Sequence, residues 1–317
     1  MESSMFLNQP TVIDHAYIDH EGRVIGGSFN PCFIVTGKVD PVEHVVVDFS
    51  NVKKTLKALI DDRETGFDHK LWVLTQVSNA EVSVGETSVS ITTPCTTMEL
   101  PRNAVKFLHT ALDYTKEEVG KEFESYLNTE MRAAYPGVGI SVEVHNAARH
   151  QLMTLSDPLM ENLDWAIQSF SYVHGLKDST SWGCQNIGHG HASFVQIFFL
   201  DELPAPPGKE TSEDPYALLT SIGDYLDRTI FVNHSNVVSF GDPEEWWINL
   251  EYSTPERGTF RAGYNTRLQK VCVLESETTV EHLVDHVVSL FGDRLRKSGV
   301  SKLFLSEGLS KGAMVNL

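Results

Sequence analysis

The sequence predicts an α+β protein made of two consecutive units that share one order of strands and helices. With 317 residues, the chain is longer than a typical single domain. Its 41% hydrophobic and 21% charged residues are typical of a globular protein with a sizeable core. Because strands and helices succeed one another in a similar order in each half, we expect units at 1–156 and 157–317, joined near Ser156-Asp157-Pro158.

In the first half, β-rich runs bounded by turn residues predict strands at 32–39, 44–49, 71–76, 83–91 and 140–144. Apolar residues at helical spacing predict a helix over 52–60, with Ser50 or Asn51 as its N-cap. Pro101 is well placed at the start of a second, long helix that runs to about Ala134.

The second half repeats this order. Strands are predicted at 165–173, 192–200 and 302–305, a hairpin at 246–252 and 259–264, and helices at 215–226 and 279–295. The Pro-, Gly- and Glu-rich stretch 203–214 is expected to be a surface loop.

Two short matches support an internal duplication. Thr97-Met98-Glu99 opens the predicted long helix of the first half, as Thr279-Val280-Glu281 opens that of the second. Asp68-His69 follows the first short helix, and Asn233-His234 follows its counterpart. Their shared order predicts a tandem repeat.

Charge and cysteine content exclude several classes of protein. A formal net charge of -18 argues against binding to nucleic acid or to an anionic membrane surface. The N-terminal residues do not read as a secretion signal, and no apolar run is long enough to span a bilayer. Four scattered cysteines indicate reduced thiols, so we expect a cytoplasmic protein.

The segment His189-Gly190-His191 indicates a metal site. Two histidines two positions apart on a strand point to the same face, so both imidazoles can reach one ion. A third histidine from a paired strand, His174, would give three nitrogen ligands. Three protein ligands leave the fourth tetrahedral position open, which is the arrangement of a catalytic zinc.

Several motifs together resemble one family, the 6-pyruvoyl-tetrahydropterin and 6-carboxy-tetrahydropterin synthases. The stretch 37–69 is similar to the family's central segment, which ends in a D-H-K motif. The second half supplies the other motifs, in order: 170–174 (FSYVH), Cys184 ahead of the H-G-H segment, 279–281 (TVE) and 305–307 (LSE). The resemblance implies the tunnelling fold, in which each unit is an antiparallel four-stranded sheet with two helices on one face. Units of this fold assemble into barrels, with active sites between units.

The resemblance also implies roles for individual residues. His174, His189 and His191 would hold Zn²⁺, which lowers the pKa of substrate hydroxyls. Cys184 would abstract a proton from the substrate side chain, and Glu307 would anchor the pterin ring through two parallel hydrogen bonds. Thr279 and Glu281 would provide a second substrate contact, or would serve only as a cap of the helix.

The first half departs from the family pattern. Ile25-Gly26-Gly27 stands where the H-G-H segment should fall, and Asn146 stands in place of the anchoring glutamate. The first unit is therefore expected to have lost its metal. It keeps Asp68 and His69, the carboxylate–histidine pair that works with the cysteine in the family, whereas His234 of the second unit follows an asparagine.

These observations predict one composite site, in which Cys184, Glu307 and the metal face Asp68 and His69; the alternative is that His234 completes the site. The expected activity is a zinc-dependent lyase that converts 7,8-dihydroneopterin triphosphate to 6-carboxy-tetrahydropterin. The alternatives are 6-pyruvoyl-tetrahydropterin synthase, which eliminates triphosphate, and a pterin- or purine-binding protein without catalysis. A pterin is the expected small-molecule partner, and six tunnelling units would correspond to a homo-oligomer of three chains or a multiple.

Overall fold

The structure, a computed structural model, describes residues 2–8, 10–76, 80–146, 165–199, 213–240, 246–309 and 311–317. The predicted junction at 156–158 and most of the predicted loop at 203–214 lie outside these residues. The described chain is α+β and forms three six-stranded sheets and four α-helices.

The first sheet is built entirely from the N-terminal half. Its strands are β1 (Glu2–Asn8), β2 (Ile13–Ile18), β3 (Val24–Lys38), β4 (Lys70–Leu74), β8 (Val105–Leu108) and β9 (Gly139–Asn146). The order across the sheet is β8-β4-β2-β3-β9, and β1 pairs with the far end of the long strand β3. The pairs β2–β4 and β4–β8 are parallel, and the others are antiparallel.

The second sheet comes from the C-terminal half. Its strands are β10 (Trp165–His174), β11 (His189–Phe199), β12 (Thr229–Asn233), β16 (Lys270–Leu274), β17 (Val300–Glu307) and β18 (Lys311–Asn316). The order β16-β12-β10-β11-β17 repeats that of the first sheet, with parallel and antiparallel pairs at the same places. Five strands of each sheet therefore have a counterpart in the other half, whereas β1 pairs with β3 and β18 pairs with β17.

The third sheet joins the two halves. It contains β5 (Glu81–Val84), β6 (Ser88–Thr92), β7 (Thr96–Pro101), β13 (Val237–Phe240), β14 (Trp247–Thr254) and β15 (Gly258–Asn265). The antiparallel pair β7–β15 carries the backbone ladder from one half to the other. Across this junction, Arg261 forms an ion pair with Glu99, and it also pairs with Glu251 of its own half. One hydrophobic cluster contains buried side chains of both halves, including Leu71, Leu100 and Phe260.

Four helices cover the first two sheets in pairs: α1 (Phe49–Ile60), α2 (Lys116–Met131), α3 (Pro215–Leu226) and α4 (Val280–Lys297). The side chains of Asp48, Thr115 and Asp214 cap the first three helices. In each half, the buried helix residues form one hydrophobic cluster with their own sheet. Among the described helices, none combines the length and apolar character that spanning a bilayer requires.

The first two sheets meet where β3 crosses β11. A Cβ at Gly26 would lie 2.0 Å from the carbonyl oxygen of Tyr172, and one at Gly190 would lie 2.7 Å from the Cα of Gly26. No real Cβ tolerates such distances, so glycine at both positions allows the backbones to touch. This close approach brings β2 of the first half against the histidine-bearing ends of β10 and β11.

The sheets differ from the sequence-based expectation in size and direction. The prediction of antiparallel four-stranded sheets is wrong, since both are six-stranded and mixed. The predicted strand at 44–49 is also wrong. His44 has a left-handed backbone with φ of 59°, and Phe49 is already the first residue of α1 because Asp48 caps that helix.

The predicted long helix from Pro101 to Ala134 is wrong in its first part. Pro101 ends β7 and is followed by a single 3₁₀ turn and β8, and α2 begins only after Thr115. Thr97-Met98-Glu99 lies in β7 because its alternating side chains pair with β15. In the first half, the segment that corresponds to Thr279-Val280-Glu281 is therefore Thr115-Lys116-Glu117, at the start of α2. The predicted strand at 83–91 is a hairpin of β5 and β6.

The pairing of Asp68-His69 with Asn233-His234 is wrong as well. Asp68-His69 precedes β4, whereas Asn233 ends β12. The counterpart of Asp68-His69 is Asp227-Arg228, which directly precedes β12. Both His69 and Arg228 have left-handed backbones, with φ of 54° and 56°.

The backbone contacts support this correspondence. The amide of His69 donates to the carbonyl oxygen of Asp14 at 2.6 Å, and that of Arg228 donates to Ser171 at 2.7 Å. In return, the amides of Asp14 and Ser171 each donate at 2.9 Å to a carboxylate, that of Asp68 and that of Asp227 respectively.

Candidate active site

Three buried histidines converge where β10 ends and β11 begins. In the antiparallel register, His174 lies opposite His189 and Tyr172 lies opposite His191. Residues 189 and 191 point to one face of β11, and the 0–1% exposure of all three histidines shows that the rings are enclosed. The structure thus brings together the three predicted metal ligands.

The inward-facing nitrogens of these rings are lone-pair acceptors. The Nδ1 of His174 donates to the carbonyl oxygen of Thr278 at 2.8 Å, and that of His189 donates to Asn186 at 2.6 Å. A carbonyl oxygen only accepts, so each Nδ1 carries the proton and each Nε2 is bare. Metal-bound histidines are commonly oriented by such a second hydrogen bond.

The third ring, that of His191, faces a carboxylate of the other half of the chain. Its Nδ1 lies 3.2 Å from a carboxylate oxygen of Asp14, a 5% exposed residue of β2. The Oγ of Ser28 donates to the same oxygen of Asp14 at 2.5 Å. Although burial raises the pKa of Asp14, His191, His69 and Ser28 together lower it more, and the net pKa lies well below its usual value. Asp14 therefore remains charged.

The three Nε2 atoms fit a metal ion better than they fit one another. Those of His174 and His191 are 3.1 Å apart, and one ring nitrogen from each of the three histidines lies within 4.8 Å of the others. The Nε2 of His189 has no hydrogen-bond partner in the described part of the chain. Two bare lone pairs cannot share a proton, whereas nitrogen ligands of one tetrahedral zinc lie about 3.3 Å apart.

Burial also keeps the rings of His174 and His189 neutral, which is the form that binds metals. It lowers the pKa of His174 to about 3, with a contribution from His191. It lowers the pKa of His189 well below the usual range, with contributions from the neighbouring histidines. No proton competes with a metal ion for these nitrogens near neutral pH.

A thiol, an imidazole and a carboxylate adjoin the three histidines. Cys184 lies in a 3₁₀ turn (Gly183–Gln185) of the loop between β10 and β11, and it is 8% exposed. Its Sγ and ring nitrogens of His69 and His189 lie within 4.8 Å of one another. The Nδ1 of His69 is 2.6 Å from a carboxylate oxygen of Asp68. The cysteine belongs to the second half, and the histidine and the aspartate belong to the first.

Electrostatics favour a charged pair of Cys184 and His69. Burial lowers the pKa of His69, but Asp68, Cys184 and Asp14 together raise it more, so that the net pKa is well above its usual value. Burial raises the pKa of Cys184, but His69, Ser181 and Lys311 together lower it more, and the net pKa falls below its usual value. The arrangement thus suits a thiolate beside an imidazolium.

The loop that carries Cys184 is fixed to the first half by Asn186. Its side-chain amide donates to the carbonyl oxygens of His69 and Ala104, at 3.0 and 2.9 Å. Its side-chain oxygen accepts the amide of Gly188 at 2.9 Å. These contacts hold the cysteine and the histidine at a fixed separation.

Glu307, at the end of β17, borders the site. One of its carboxylate oxygens lies 3.8 Å from the Nε2 of His191 and 4.0 Å from that of His174. Its other oxygen lies 3.1 Å from the Nζ of Lys311. Both distances to the histidines exceed the ~3.3 Å expected between ligands of one tetrahedral zinc. Glu307 therefore lies beside the three nitrogens without completing a closed set of four ligands.

The other residues predicted for the site are Thr279, Glu281 and His234. Thr279 is the first-turn cap of α4, although its side chain makes no capping hydrogen bond, and its neighbour Thr278 holds His174. Glu281 is exposed in the first turn of the same helix. His234 is half-exposed, lies 3.8 Å from Glu275, and stays outside the cluster.

Three residues at the site were missed from the sequence: Asp14, Asn186 and Lys311. The only trace of Asp14 is an acidic residue inside the apolar strand β2, and its buried partner comes from the other half. Asn186 lies in an irregular loop, and Lys311 lies in β18, a strand that was not predicted. No motif marks any of them.

Comparison with known proteins gives structural matches only. No protein-family model matches the chain, and no curated protein matches it. A crystal structure of 6-pyruvoyl tetrahydropterin synthase from Plasmodium vivax is similar at 16% identity, with a TM-score of 0.39, over 47% of this chain and 94% of that chain. The corresponding enzyme from Caenorhabditis elegans is similar at 14% identity, with a TM-score of 0.28, over 49% of this chain and 94% of that chain.

Proposed function

We propose that this protein is a zinc-dependent lyase acting on a dihydropterin with a hydroxylated three-carbon side chain. The preferred substrate is 7,8-dihydroneopterin triphosphate, and the product is 6-carboxy-tetrahydropterin. The observation that carries the proposal is the position of Cys184 and His69 directly beside three converging histidine nitrogens. The motif resemblance to the pterin synthases supplies the substrate class.

The donor set supports zinc as the metal. Three neutral imidazoles with an open position are typical of catalytic zinc sites. A bound zinc ion would supply Lewis acidity that lowers the pKa of the substrate's side-chain hydroxyls. His174, His189 and His191 would hold it.

The protein's own groups would then move the protons. Cys184, as a thiolate, accepts a proton from the substrate side chain. His69 stabilises the thiolate while charged, and Asp68 fixes the orientation and the charge of His69 through its 2.6 Å contact. His234 has no part in this scheme because its contacts are with Glu275 and Phe240.

Glu307 would bind the pterin ring. A carboxylate offers two acceptors to the ring's amide N–H and exocyclic amine. Lys311 and the neighbouring histidines lower the pKa of Glu307 against the effect of burial, so this carboxylate stays ionised. Thr279 and Glu281 stand at the start of α4, which adjoins His174 through Thr278, and would give a second contact.

We further propose that the chain is a tandem pair of tunnelling-fold units, 1–156 and 157–317, with one metal site between them. The matched strand orders and the His69–Arg228 correspondence support duplication. A cytoplasmic homo-oligomer of three chains, or a multiple, would complete the six units, and light scattering of the purified protein would measure this.

The decisive experiment incubates pure protein with 7,8-dihydroneopterin triphosphate, with and without a chelator, and identifies the products by mass spectrometry. A product that lacks two side-chain carbons supports the proposal. A product that keeps all three carbons and has lost triphosphate would identify a 6-pyruvoyl-tetrahydropterin synthase. Metal-independent binding without turnover would identify a binding protein.

Two matched histidine variants test the composite site. His69→Ala is expected to reduce turnover by a factor of about 100 or more, as the loss of an acid–base group typically does. His234→Ala removes a half-exposed histidine and is expected to leave turnover within about twofold. The opposite pattern would refute the composite site and leave the lyase assignment to the product analysis.

A further inference from the structure

A second cavity lies between the two halves, outside the candidate active site. Its volume is about 430 Å³, within the range of small-molecule sites. Both halves contribute to its wall, which includes Tyr17, Ile25, Leu112, Tyr114, Thr115 and Arg228. None of these residues takes part in the mechanism proposed above.

The two halves have matching strand orders. If they were exchanged, this cavity would fall where the candidate active site lies. Tyr17 lies opposite Ile25 in the first sheet, as His174 lies opposite His189 in the second. These two residues therefore occupy the places of two metal ligands. The third ligand, His191, corresponds in the same register to Gly27, which offers no donor.

The acid–base group is replaced in the same way. Arg228 has the position, the left-handed backbone and the strand contact of His69. The loop that would carry a cysteine is cut to five residues, 19–23, from fourteen, 175–188, in the second half. The cavity thus corresponds in location to the candidate active site, but it lacks the metal ligands, the acid–base histidine and the cysteine.

The replacement side chains form an aromatic and apolar wall. The rings of Tyr17 and Tyr114 have centroids 4.5 Å apart at an interplanar angle of 35°. Ile25 and Leu112 add aliphatic surface, and 54% of Leu112 is exposed. Flat ligands are favoured by such surfaces because ring contacts add to the hydrophobic gain.

One cation at the cavity is available for a ligand. Arg228 is 57% exposed, and its guanidinium Nε lies 3.6 Å from Asp227, too far for a good hydrogen bond. Arg23 is different, since Asp19 and Glu21 both pair with it at 2.7–2.8 Å. Arg228 can therefore donate to an incoming anion with little loss of existing contacts.

The acidic groups at the wall are already engaged. Asp19 accepts the amide of Arg23 at 2.9 Å in addition to its ion pair. Asp113 accepts the amide of Thr115 at 2.9 Å, at the start of α2. Neither carboxylate needs a ligand cation to satisfy it.

We propose that this cavity binds a planar heteroaromatic anion of nucleotide size. The ring lies against Tyr17 and Tyr114, and the anionic group pairs with Arg228. The second site is metal-independent and separate from the lyase reaction.

Calorimetric titration of the full chain with guanosine 5′-monophosphate tests the proposal. Arg228→Ala is expected to weaken binding by about tenfold or more, because a charge-assisted contact is lost. Leu112→Trp fills the cavity from an exposed position and is expected to abolish binding without unfolding the protein. Arg132→Ala, which removes an equally charged exposed residue at the end of α2, is the control and is expected to bind normally.

Separate measurements test the aromatic part of the ligand, its anionic part and the metal site. Guanosine and inorganic phosphate are each expected to bind at least tenfold more weakly than the nucleotide, and His174→Ala is expected to bind the nucleotide as tightly as the parent chain. Absence of binding at millimolar nucleotide, or equal binding by Arg228→Ala and Leu112→Trp, overturns the proposal. So does loss of binding in His174→Ala, which would place the nucleotide in the candidate active site.

Discussion

Replacing Asp14 by asparagine tests whether the first half supports the metal site of the second. Asp14 is the carboxylate nearest to the Nδ1 of His191, at 3.2 Å, and it is buried on β2. Asparagine keeps the volume and one acceptor oxygen for Ser28, but it removes the negative charge. The substitution therefore isolates the electrostatic support of one metal ligand.

The magnitude follows from the type of contact. Changing an outer partner of a metal-bound histidine typically costs 10- to 100-fold in metal affinity, and each factor of ten corresponds to about 1.4 kcal/mol. We therefore expect the zinc dissociation constant of Asp14→Asn to rise by about 10- to 100-fold, the range found when outer partners of metal-bound histidines are changed. Competition with a chelating dye measures this constant.

A second, partly buried aspartate of the same hairpin provides the control. Asp19 pairs with Arg23 and lies outside the histidine cluster, so Asp19→Asn is expected to keep the parent affinity for zinc. An affinity of Asp14→Asn within about twofold of the parent would refute the reasoning, since it would mean that the carboxylate does not support His191.

Three further outcomes are expected. Because Asp68 keeps His69 charged, Asp68→Asn should raise the pKa of the Cys184 thiol, and its thiolate absorbance should appear at higher pH than in the parent; an unchanged titration would contradict the charged pair. Gly26→Ala places a Cβ 2.0 Å from a carbonyl oxygen and should lower the free energy of unfolding in urea by about 1–3 kcal/mol, whereas Gly139→Ala, with its nearest atom at 4.0 Å, should not lower it. Zinc at a free concentration of 100 times its dissociation constant should raise the free energy of unfolding by about 2.7 kcal/mol over chelator-treated protein; equal stabilities would argue against a site formed only in the folded chain.

Local geometry explains which parts of the site were predictable. Residues 189 and 191 share a face because side chains alternate along any strand, and antiparallel pairing of β10 with β11 places His174 opposite His189. The helix of residues 215–226 was predicted with its observed bounds, since Pro215 at its first position and Asp214 as its cap are local signals. Such features need no knowledge of the tertiary fold.

Contacts between the halves were not predictable in the same way. The segment 96–101 reads as the start of a helix, but it becomes β7 because β15, more than 150 residues away, offers a pairing edge. Likewise, Asp14 gains its role only when Gly26 and Gly190 allow β3 and β11 to touch. Pairing over such distances depends on the whole fold and overrides local propensity.

The wrong pairing of Asp68-His69 with Asn233-His234 shows that similar sequence segments need not occupy corresponding positions in the fold. Asp68-His69 and Asn233-His234 look alike as letters, yet one precedes its strand and the other ends its strand. His69 has a left-handed backbone directly before β4, and Arg228 has the same backbone directly before β12. Backbone position, rather than residue type, identifies the counterpart.

The two halves therefore depend on each other for one site. The second half contributes the three histidines, Cys184 and Glu307, but His191 faces Asp14 and the charge of Cys184 is set by His69, both from the first half. A first half that has lost its own ligands would still be indispensable to the metal and to the thiolate. The second cavity can hold a ligand of different chemistry. At this cavity, Arg228 takes the place of the acid–base histidine and Tyr17 takes the place of a metal ligand.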